Sequence, residues 1–585
     1  MDWTAMKMAG ITRLLVLFSF LFAVSLAGAE IFFPRPFPVF STPDAFTKVQ
    51  YVLPPGYYKV KKSDILKFST VPPMAYYARF AELESGHFAS PALCINESGK
   101  TVFVKDSRDW RIWCVGILIS ALAVFSVIFV KEKIKGRIPP DSPLESAGFV
   151  FIALSVRWIL LLYEIAFWGN ALPGAADEPG YFQAVSDIMN GKFSGPWHFT
   201  VGLGIIYLPF IRICNAVDYY DIAIPFCHFN AIVVAPAAIA VTFFVLKKFH
   251  INRYCAFAAV LLWALYPFFV YHKELWNIFH FEAFTAIPTS WESVLNWWKY
   301  YAVCINTGFN GMSDMPGLLM VMCTVLMAGK LKSNAKNTFF IGMAYGFCCL
   351  IRINYILFAP LAAFVWLHRY QKTDIKTLLC TFAAAAGGFF SIFGWQLLIN
   401  FYQFGNIFTF GYSLHYLNFP PDKRPDAGFT LSTLLELKNI HLLIGANKLL
   451  MTAGIAGLLC IRDRVCRISL TLFAVPLILF FFGYSHTYCD ARRFILAAFP
   501  VFLAAYCTAW GDVFLHWKKD LRKNLRLWII LFLTVLFWPV PDEICAICLF
   551  LLLLRSIWDL HQELFRDILK KDDSVNEKEL HDAMH

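Results

Sequence analysis

Residues 148–181, GFVFIALSVRWILLLYEIAFWGNALPGAADEPGY, decide how the rest of the chain is read. The first part, 148–169, is an apolar run long enough to cross the roughly 30 Å hydrocarbon core of a bilayer, which takes about 20 helical residues. The second part is turn-rich and ends in an acidic pair followed by Pro and Gly. Outward from this stretch, runs of the same kind fall near 113–130, 225–246, 254–272, 313–330, 338–352, 354–367, 376–398, 443–460, 467–483, 494–511, 526–540 and 542–558. A tight turn near Asn354 is needed to separate 338–352 from 354–367. The 585 residues are 58% hydrophobic, 17% aromatic and only 16% charged, with a mean hydropathy of +0.57. An ordinary globular chain carries about 25% charged residues. These figures exclude a soluble enzyme, a disordered scaffold, a collagen and a disulfide-stapled secreted domain. They predict an all-α polytopic membrane protein of about 12–14 transmembrane helices with long extracytoplasmic loops.

The chain divides into four parts on this reading. Residues 1–29 hold Lys7 and Arg13, a short apolar run from Leu14 to Leu26, and Ala27-Gly28-Ala29, the pattern of a signal peptide; an uncleaved signal anchor is the alternative. Residues 30–112 are aromatic and proline-rich, with alternation at Tyr57-Tyr58-Lys59-Val60-Lys61, and predict a small β-rich extracytoplasmic insert. Residues 113–558 form the polytopic domain, and 559–585 a charged cytoplasmic tail with helical character. The net charge of +11 does not point to nucleic acid. Lys131, Lys133, Lys135 and Arg137, then Lys247, Lys248 and Arg253, then Arg462, Arg464 and Arg467 sit in short loops between apolar runs, the positive-inside pattern of a cytoplasmic face. The alternate connections, 170–224, 273–312 and 399–442, are long and less basic, so recognition or chemistry is expected there, outside the cytoplasm.

The acidic pair Asp177-Glu178 opens one of these connections, before the helical-looking segment 181–192. Acidic residues at a helix start also cap free N–H groups and favour the helix dipole, so both readings stand. Five further stretches follow in order: VGLGIIYLPFIRI (201–213), GFNGMSDMPGLLMVM (308–322), IGMAYGFCCLIRINYILFAP (341–360), LINFYQFGNIFTFGY (398–412) and CDARRFILAAFPVFLAAY (489–506). Together with AADEPGYFQAVSDIMNGKF (175–193), this arrangement resembles the GT-C class of membrane glycosyltransferases, among them the protein O-mannosyltransferases and the lipid A aminoarabinose transferases. The resemblance covers roughly residues 148–511. The family's second amphipathic segment, usually Pro-Pro-Leu-Tyr, is reduced here to Tyr207-Leu208-Pro209.

The resemblance implies an inverting transfer of a sugar from a polyprenyl-phosphate donor to a glycan, lipid or protein acceptor. It assigns Asp177 as general base, Glu178 as a positioning or second acidic group, and Asp314 as a third carboxylate. Ser313-Asp314-x-Pro316 is equally a good helix start. A leaving phosphate needs cations placed beforehand, and guanidinium forks suit its oxygens. Arg352, near the exterior end of an apolar run, and the pair Arg492-Arg493 are the candidates. Snorkelling for the first, and a salt bridge to Asp490 or lipid contact for the pair, are the structural alternatives. His486 is a candidate for phosphate or a sugar hydroxyl, and Tyr412 for stacking on a sugar face. No His/Cys/Asp cluster of metal-site spacing is present; use of a divalent cation stays open. The motif style is that of a bacterial inner membrane with a periplasmic site, with the endoplasmic reticulum as alternative. A glycan polymerase or ligase using lipid-linked sugars, a secondary transporter and a non-catalytic scaffold are the competing classes. An alkaline phosphatase reporter joined after Asp177 is expected to be active, and one joined after Lys248 inactive; the reverse pattern would exclude an exterior acidic pair.

Overall fold

The computed structural model describes residues 30–33, 37–41, 49–54, 56–71, 74–89, 93–95, 101–103, 110–168, 172–173, 177–193, 197–217, 219–271, 308, 310–370, 374–411, 438–445, 448–484, 491–516 and 541–583. The expected signal segment 1–29 and the apolar run 526–540 lie outside these residues, as does nearly all of 273–312. Two units divide the chain, residues 1–112 with 164–174, and residues 113–163 with 175–585.

The first unit is the β-rich insert foreseen in the alternating sequence. Its strands are β1 (Glu30–Phe33), β2 (Phe37–Phe40), β3 (Val49–Leu53), β4 (Gly56–Val71), β5 (Met74–Leu83) and β6 (Phe88–Ala89), then β7 (Leu93–Ile95) and β8 (Thr101–Phe103), which pair with each other. The main sheet runs β1-β4-β5-β6-β2-β3. Its longest antiparallel ladder joins β4 to β5, from Val71 opposite Met74 to Val60 opposite Leu83, with two irregularities near Lys62. Phe37, Val39, Leu83 and Ala89 form its small core, and the Phe37 ring meets Tyr58 edge-on at 5.0 Å. The sequence reading ended the insert at 112. The structure adds β9 (Leu172–Pro173), which pairs with Tyr76 and Tyr77 of β5. A two-residue strand carries too little pattern to be read from sequence.

The second unit is helical. In chain order its elements are α1 (Trp110–Ile134), α2 (Pro143–Trp168), α3 (Glu178–Met189), α4 (Gly202–Cys214), α5 (Tyr219–Phe229), α6 (Ala235–Lys248) and α7 (Arg253–Tyr271). Then come α8 (Asp314–Lys330), α9 (Ala335–Ile351), α10 (Ala359–Tyr370), α11 (Ile375–Phe404), α12 (Lys438–Gly445), α13 (Lys448–Cys460), α14 (Arg464–Phe482), α15 (Ala491–Phe494), α16 (Ala498–His516) and α17 (Asp542–Ala583). Among the described residues, five stretches are long and apolar enough to cross a membrane: Pro143–Leu161, Asp221–Lys248, Ile375–Phe404, Arg464–Phe482 and Asp542–Gln562. Six shorter apolar helices accompany them among the described residues. The connection 170–224, expected to hold a helical segment near 181–192, contains α3, α4 and the start of α5 among its described residues. The turn expected near Asn354 is a 3-10 segment, Ile353–Phe358, between α9 and α10. The tail is helical, continuing α17 to Ala583.

Helix α14 is apolar on all sides and buried on nearly all of them, as expected of a central helix. By contrast, α11 exposes Ile375, Leu379, Phe382, Phe390, Trp395, Leu398, Phe401 and Tyr402, and packs chiefly on α9. Small residues allow that crossing. A Cβ at Gly388 would stand 2.0 Å from the Phe339 carbonyl oxygen, and one at Gly342 would stand 2.1 Å from that of Ala385. Backbones this close permit dispersion contact where lipid offers no hydrophobic driving force between helices.

Consecutive residues of α2 solve a second problem. Pro236 has no N–H, so the Ile232 carbonyl four residues earlier loses its helical donor, and the backbone relaxes into a π-helical stretch at Asn230–Val234. Trp158 Nε1 donates to that carbonyl at 3.1 Å. Pro267 opens the Trp263 carbonyl in the same way, and Arg157 Nη2 donates to it at 3.1 Å, its guanidinium 5.8 Å from the Trp263 ring centroid. Buried carbonyls without donors cost about 1–3 kcal/mol each. Arg157→Met is therefore expected to lower the unfolding free energy by about that amount, and Pro267→Ala, which restores the backbone donor, to recover part of the loss. Denaturation of the two single variants and the double variant in detergent measures the coupling; strict additivity would refute the pairing.

Candidate functional site

Four charged side chains from four distant segments meet in the second unit. Asp177 stands immediately before α3, with φ −84° and ψ −31°, and its side chain makes no capping hydrogen bond. Its Oδ2 instead accepts from Arg493 Nη1 at 2.6 Å, across 316 residues of sequence. The capping explanation of this aspartate therefore fails on geometry. Arg493, in the turn α15, also donates through Nε to Asp314, at 2.9 Å to Oδ2 and 3.2 Å to Oδ1. Asp314 begins α8, and its Oδ1 accepts from Arg352 Nη1 at 2.5 Å. The order Asp177–Arg493–Asp314–Arg352 alternates in sign and is balanced in charge.

Local backbone places each member. Arg352 ends α9 in an extended conformation, φ −149° and ψ 105°, which turns the chain out of the helix before the 3-10 segment. Its Nη1 also reaches Ser313 Oγ at 3.3 Å, and its guanidinium lies 6.0 and 5.7 Å from the ring centroids of Tyr355 and Phe494. Beside it, the start of α4 presses onto α9: a Cβ at Gly202 would fall 2.4 Å from the backbone of Leu350 and Ile351. Gln396 of α11 accepts from the Val201 N–H at 3.1 Å and holds that helix start in place. The loop before α8 is fixed from the π-helical stretch, where Asn230 Nδ2 donates to the Asn310 carbonyl at 2.9 Å. Asn310 Oδ1 in turn accepts from the Met312 N–H. The Tyr181 hydroxyl lies 3.0 Å from Ser313 Oγ, and its ring stacks on Phe199 at 4.3 Å.

Exposure separates the four. The side chains of Arg493, Asp314 and Arg352 retain 5%, 1% and 7% of their accessible surface, whereas Asp177 retains 29%. Only Asp177 offers its carboxylate to solvent to any extent. Glu178, its neighbour, is fully buried, and neither carboxyl oxygen has a hydrogen-bond partner. Burial pushes its pKa up from 4.5 to about 8, Asp177 adds to the rise, and Arg493 opposes it.

The structure thus brings together Asp177, Glu178, Asp314, Arg352 and Arg493 from the sequence reading. It places Arg352 and Arg493 against carboxylates, so their donors are engaged with the protein's own acids. Arg492 is the neighbouring residue of α15, but its side chain lies outside the described residues, as do His486 and Tyr412. The divalent cation left open by the sequence does not fit this cluster. The Arg493 guanidinium already stands between the Asp177 and Asp314 carboxylates, and among the described residues no group of three His, Cys, Asp or Glu side chains could hold a metal ion. Sequence reasoning missed Ser313, Asn230 and Asn310 as supports. The π-helical stretch at Asn230 is signalled by Pro236, but its link to Asn310 is not.

No protein-family model matches this chain, and no curated protein or solved structure matches it.

Removing one member of a buried ion pair leaves the other charge uncompensated, at about 3–5 kcal/mol. Arg493→Met is expected to destabilise the fold by that order, since it leaves Asp177 and the buried Asp314 against the single guanidinium of Arg352. Asp177→Asn, at the exposed end of the cluster, is expected to lose no more than about 1 kcal/mol. Chemical denaturation of both variants checks the asymmetry; equal losses would contradict it.

Proposed function

We propose that this protein is an inverting membrane glycosyltransferase that moves a sugar from a polyprenyl-phosphate donor to a hydroxyl-bearing acceptor. The observation that carries the reading is the meeting of Asp177, Arg493, Asp314 and Arg352 in one place, with Asp177 alone partly open to solvent. An acidic pair at the start of a short helix beside apolar helices is also the arrangement that the GT-C resemblance implies. The short apolar helices, added to the five long ones, carry the chain across the membrane more than five times on this reading. The site then lies at the extracytoplasmic ends of the helices, in a bacterial inner membrane facing the periplasm.

Each residue has a task in this scheme. Asp177 accepts the proton of the acceptor hydroxyl as its oxygen attacks the anomeric carbon. The bond from that carbon to the phosphate oxygen breaks on the opposite face, and polyprenyl phosphate leaves with the electron pair. Arg493 fixes the Asp177 carboxylate through the 2.6 Å hydrogen bond and brings positive charge to the region where the phosphate becomes more anionic. Asp314 and Arg352 hold Arg493 in that orientation from behind. A preorganised set of charges of this kind needs no rearrangement at the moment of reaction. A base placed within reach of the reacting hydroxyl is worth about 10²–10⁴-fold in rate.

The charge balance of the cluster also suits a purely structural ion-pair lock, and one experiment separates the two. Cells lacking the protein are complemented with the wild type or with Asp177→Asn, and their glycans, glycolipids and glycoproteins are compared by mass spectrometry. The transferase reading expects a sugar missing from the deletion strain, restored by the wild type and not by a stably expressed Asp177→Asn. Restoration by the variant would remove Asp177 as base. An unchanged glycan profile in the deletion strain would remove the transferase itself.

A further inference from the structure

Glu178 is an anomaly that the four-membered cluster does not absorb. It has no accessible surface, and both of its carboxyl oxygens are without a hydrogen-bond partner. The backbone N–H groups of Glu178 itself and of Gly311 lie near enough to hold its pKa down slightly, but neither completes a hydrogen bond. The side chain is closed in by the loop before α8: a Cβ at Gly311 would come within 2.8 Å of Glu178 Cγ and within 1.9 Å of the Tyr219 hydroxyl. Gly311 is thus the close-approach point that lets α3, α5 and this loop converge on the carboxyl. Tyr207 of α4 closes the same place by donating its hydroxyl proton to the Gly311 carbonyl, at 2.5 Å.

Ionised, Glu178 would be a third carboxylate beside a cluster whose two acids and two guanidinium groups already cancel. An unpaired buried charge is far more costly than a buried neutral group, and such groups bind a proton instead. The groups that face it explain why no free counter-charge is at hand among the described residues. Asp177, next in the chain, repels the ionised form. Tyr219 and Cys227 on α5 lie beside it and offer no cation. Arg493 is the cation that favours its ionised form, and Arg493 is engaged with Asp177 and Asp314.

We propose that Glu178 is a proton-binding site of the folded protein, carried as the neutral acid while the Asp177–Arg493–Asp314–Arg352 cluster is assembled, and that loss of this proton draws Arg493 away from Asp314 and loosens the cluster. This makes the site sensitive to the pH of the compartment it faces. The raised pKa, about 8 in a helix that is not among the apolar ones, agrees with that assignment. The inference goes beyond the transferase reading and does not need it, since it concerns protonation and stability alone.

The sign of the linkage is definite. The unfolded chain releases the Glu178 proton near pH 4.5 and the folded chain keeps it to about pH 8. Folding is therefore favoured by this group at low pH, and the contribution is lost as pH rises through that window. Glu178→Gln keeps the shape and cannot ionise. The experiment follows thermal and denaturant unfolding of the full-length wild type and Glu178→Gln in the same detergent, from about pH 5 to about pH 9. The expected result is a wild-type unfolding constant that rises relative to the variant by up to about tenfold per pH unit, levelling off above about pH 8. Parallel curves throughout would overturn the proposal. If the variant does not fold, infrared spectra of wild type grown with carboxyl-labelled glutamate serve instead. A labelled protonated-carboxyl band present at pH 7 and lost by about pH 9 is expected, and its absence at pH 7 would overturn the proposal.

Discussion

The site depends on one guanidinium group. Arg493 touches both Asp177 and Asp314, and it is the charge that joins these two carboxylates from distant parts of the chain. Asp314 is held from its other side by Arg352, so the buried acid is paired twice. An isolated charge in such surroundings is unfavourable, whereas an alternating row of charges with satisfied hydrogen bonds is tolerated. The ends of α8, α9, α15 and α3 are therefore tied to one another by electrostatic necessity. Glu178, excluded from the row, has only protonation as its answer.

The same requirement, that no buried polar group go without a partner, shapes the apolar helices. Pro236 and Pro267 each open a carbonyl, and the adjacent residues Trp158 and Arg157 of α2 supply the donors. At the end of α14, Asn439 donates to the carbonyls of Phe482 and Tyr484. In water such groups would be hydrated. Where the surroundings are apolar, the fold has to provide the partner, and each such bond fixes one helix against another. Basic residues near the other helix ends are treated alike: Lys133 pairs with the buried Glu145, and Asp559 receives Arg464 and Arg467. Positive charge in these segments is thus an element of packing.

Much of the plan was legible along the chain. Apolar runs gave the helices, because periodic burial of a whole helix leaves no polar face to interrupt the run. Alternation at Tyr57–Lys61 gave the sheet, since side chains in a strand point to opposite faces. The stretches holding Asp177, Asp314, Arg352 and Arg493 were visible because acids and guanidinium groups at the borders of apolar segments stand out against their surroundings. The helical character of 177–229 was only partly visible, as polar and aromatic residues there mix burial against protein with exposure.

What the sequence determined by itself was helical class, an apolar chain, the β-rich insert and a short list of unusual charges, all properties of local composition and period. Which charge meets which was decided only by tertiary structure. The Arg493–Asp177 bond joins residues 316 positions apart, and no local pattern encodes so distant a partner. The same holds for Glu178. Next to Asp177 in sequence it looks like its twin, yet packing against Gly311 and Tyr219 removes it from water while leaving Asp177 partly exposed. Burial, and with it the proton each carboxyl holds, is a property of the assembled neighbours and not of the chain.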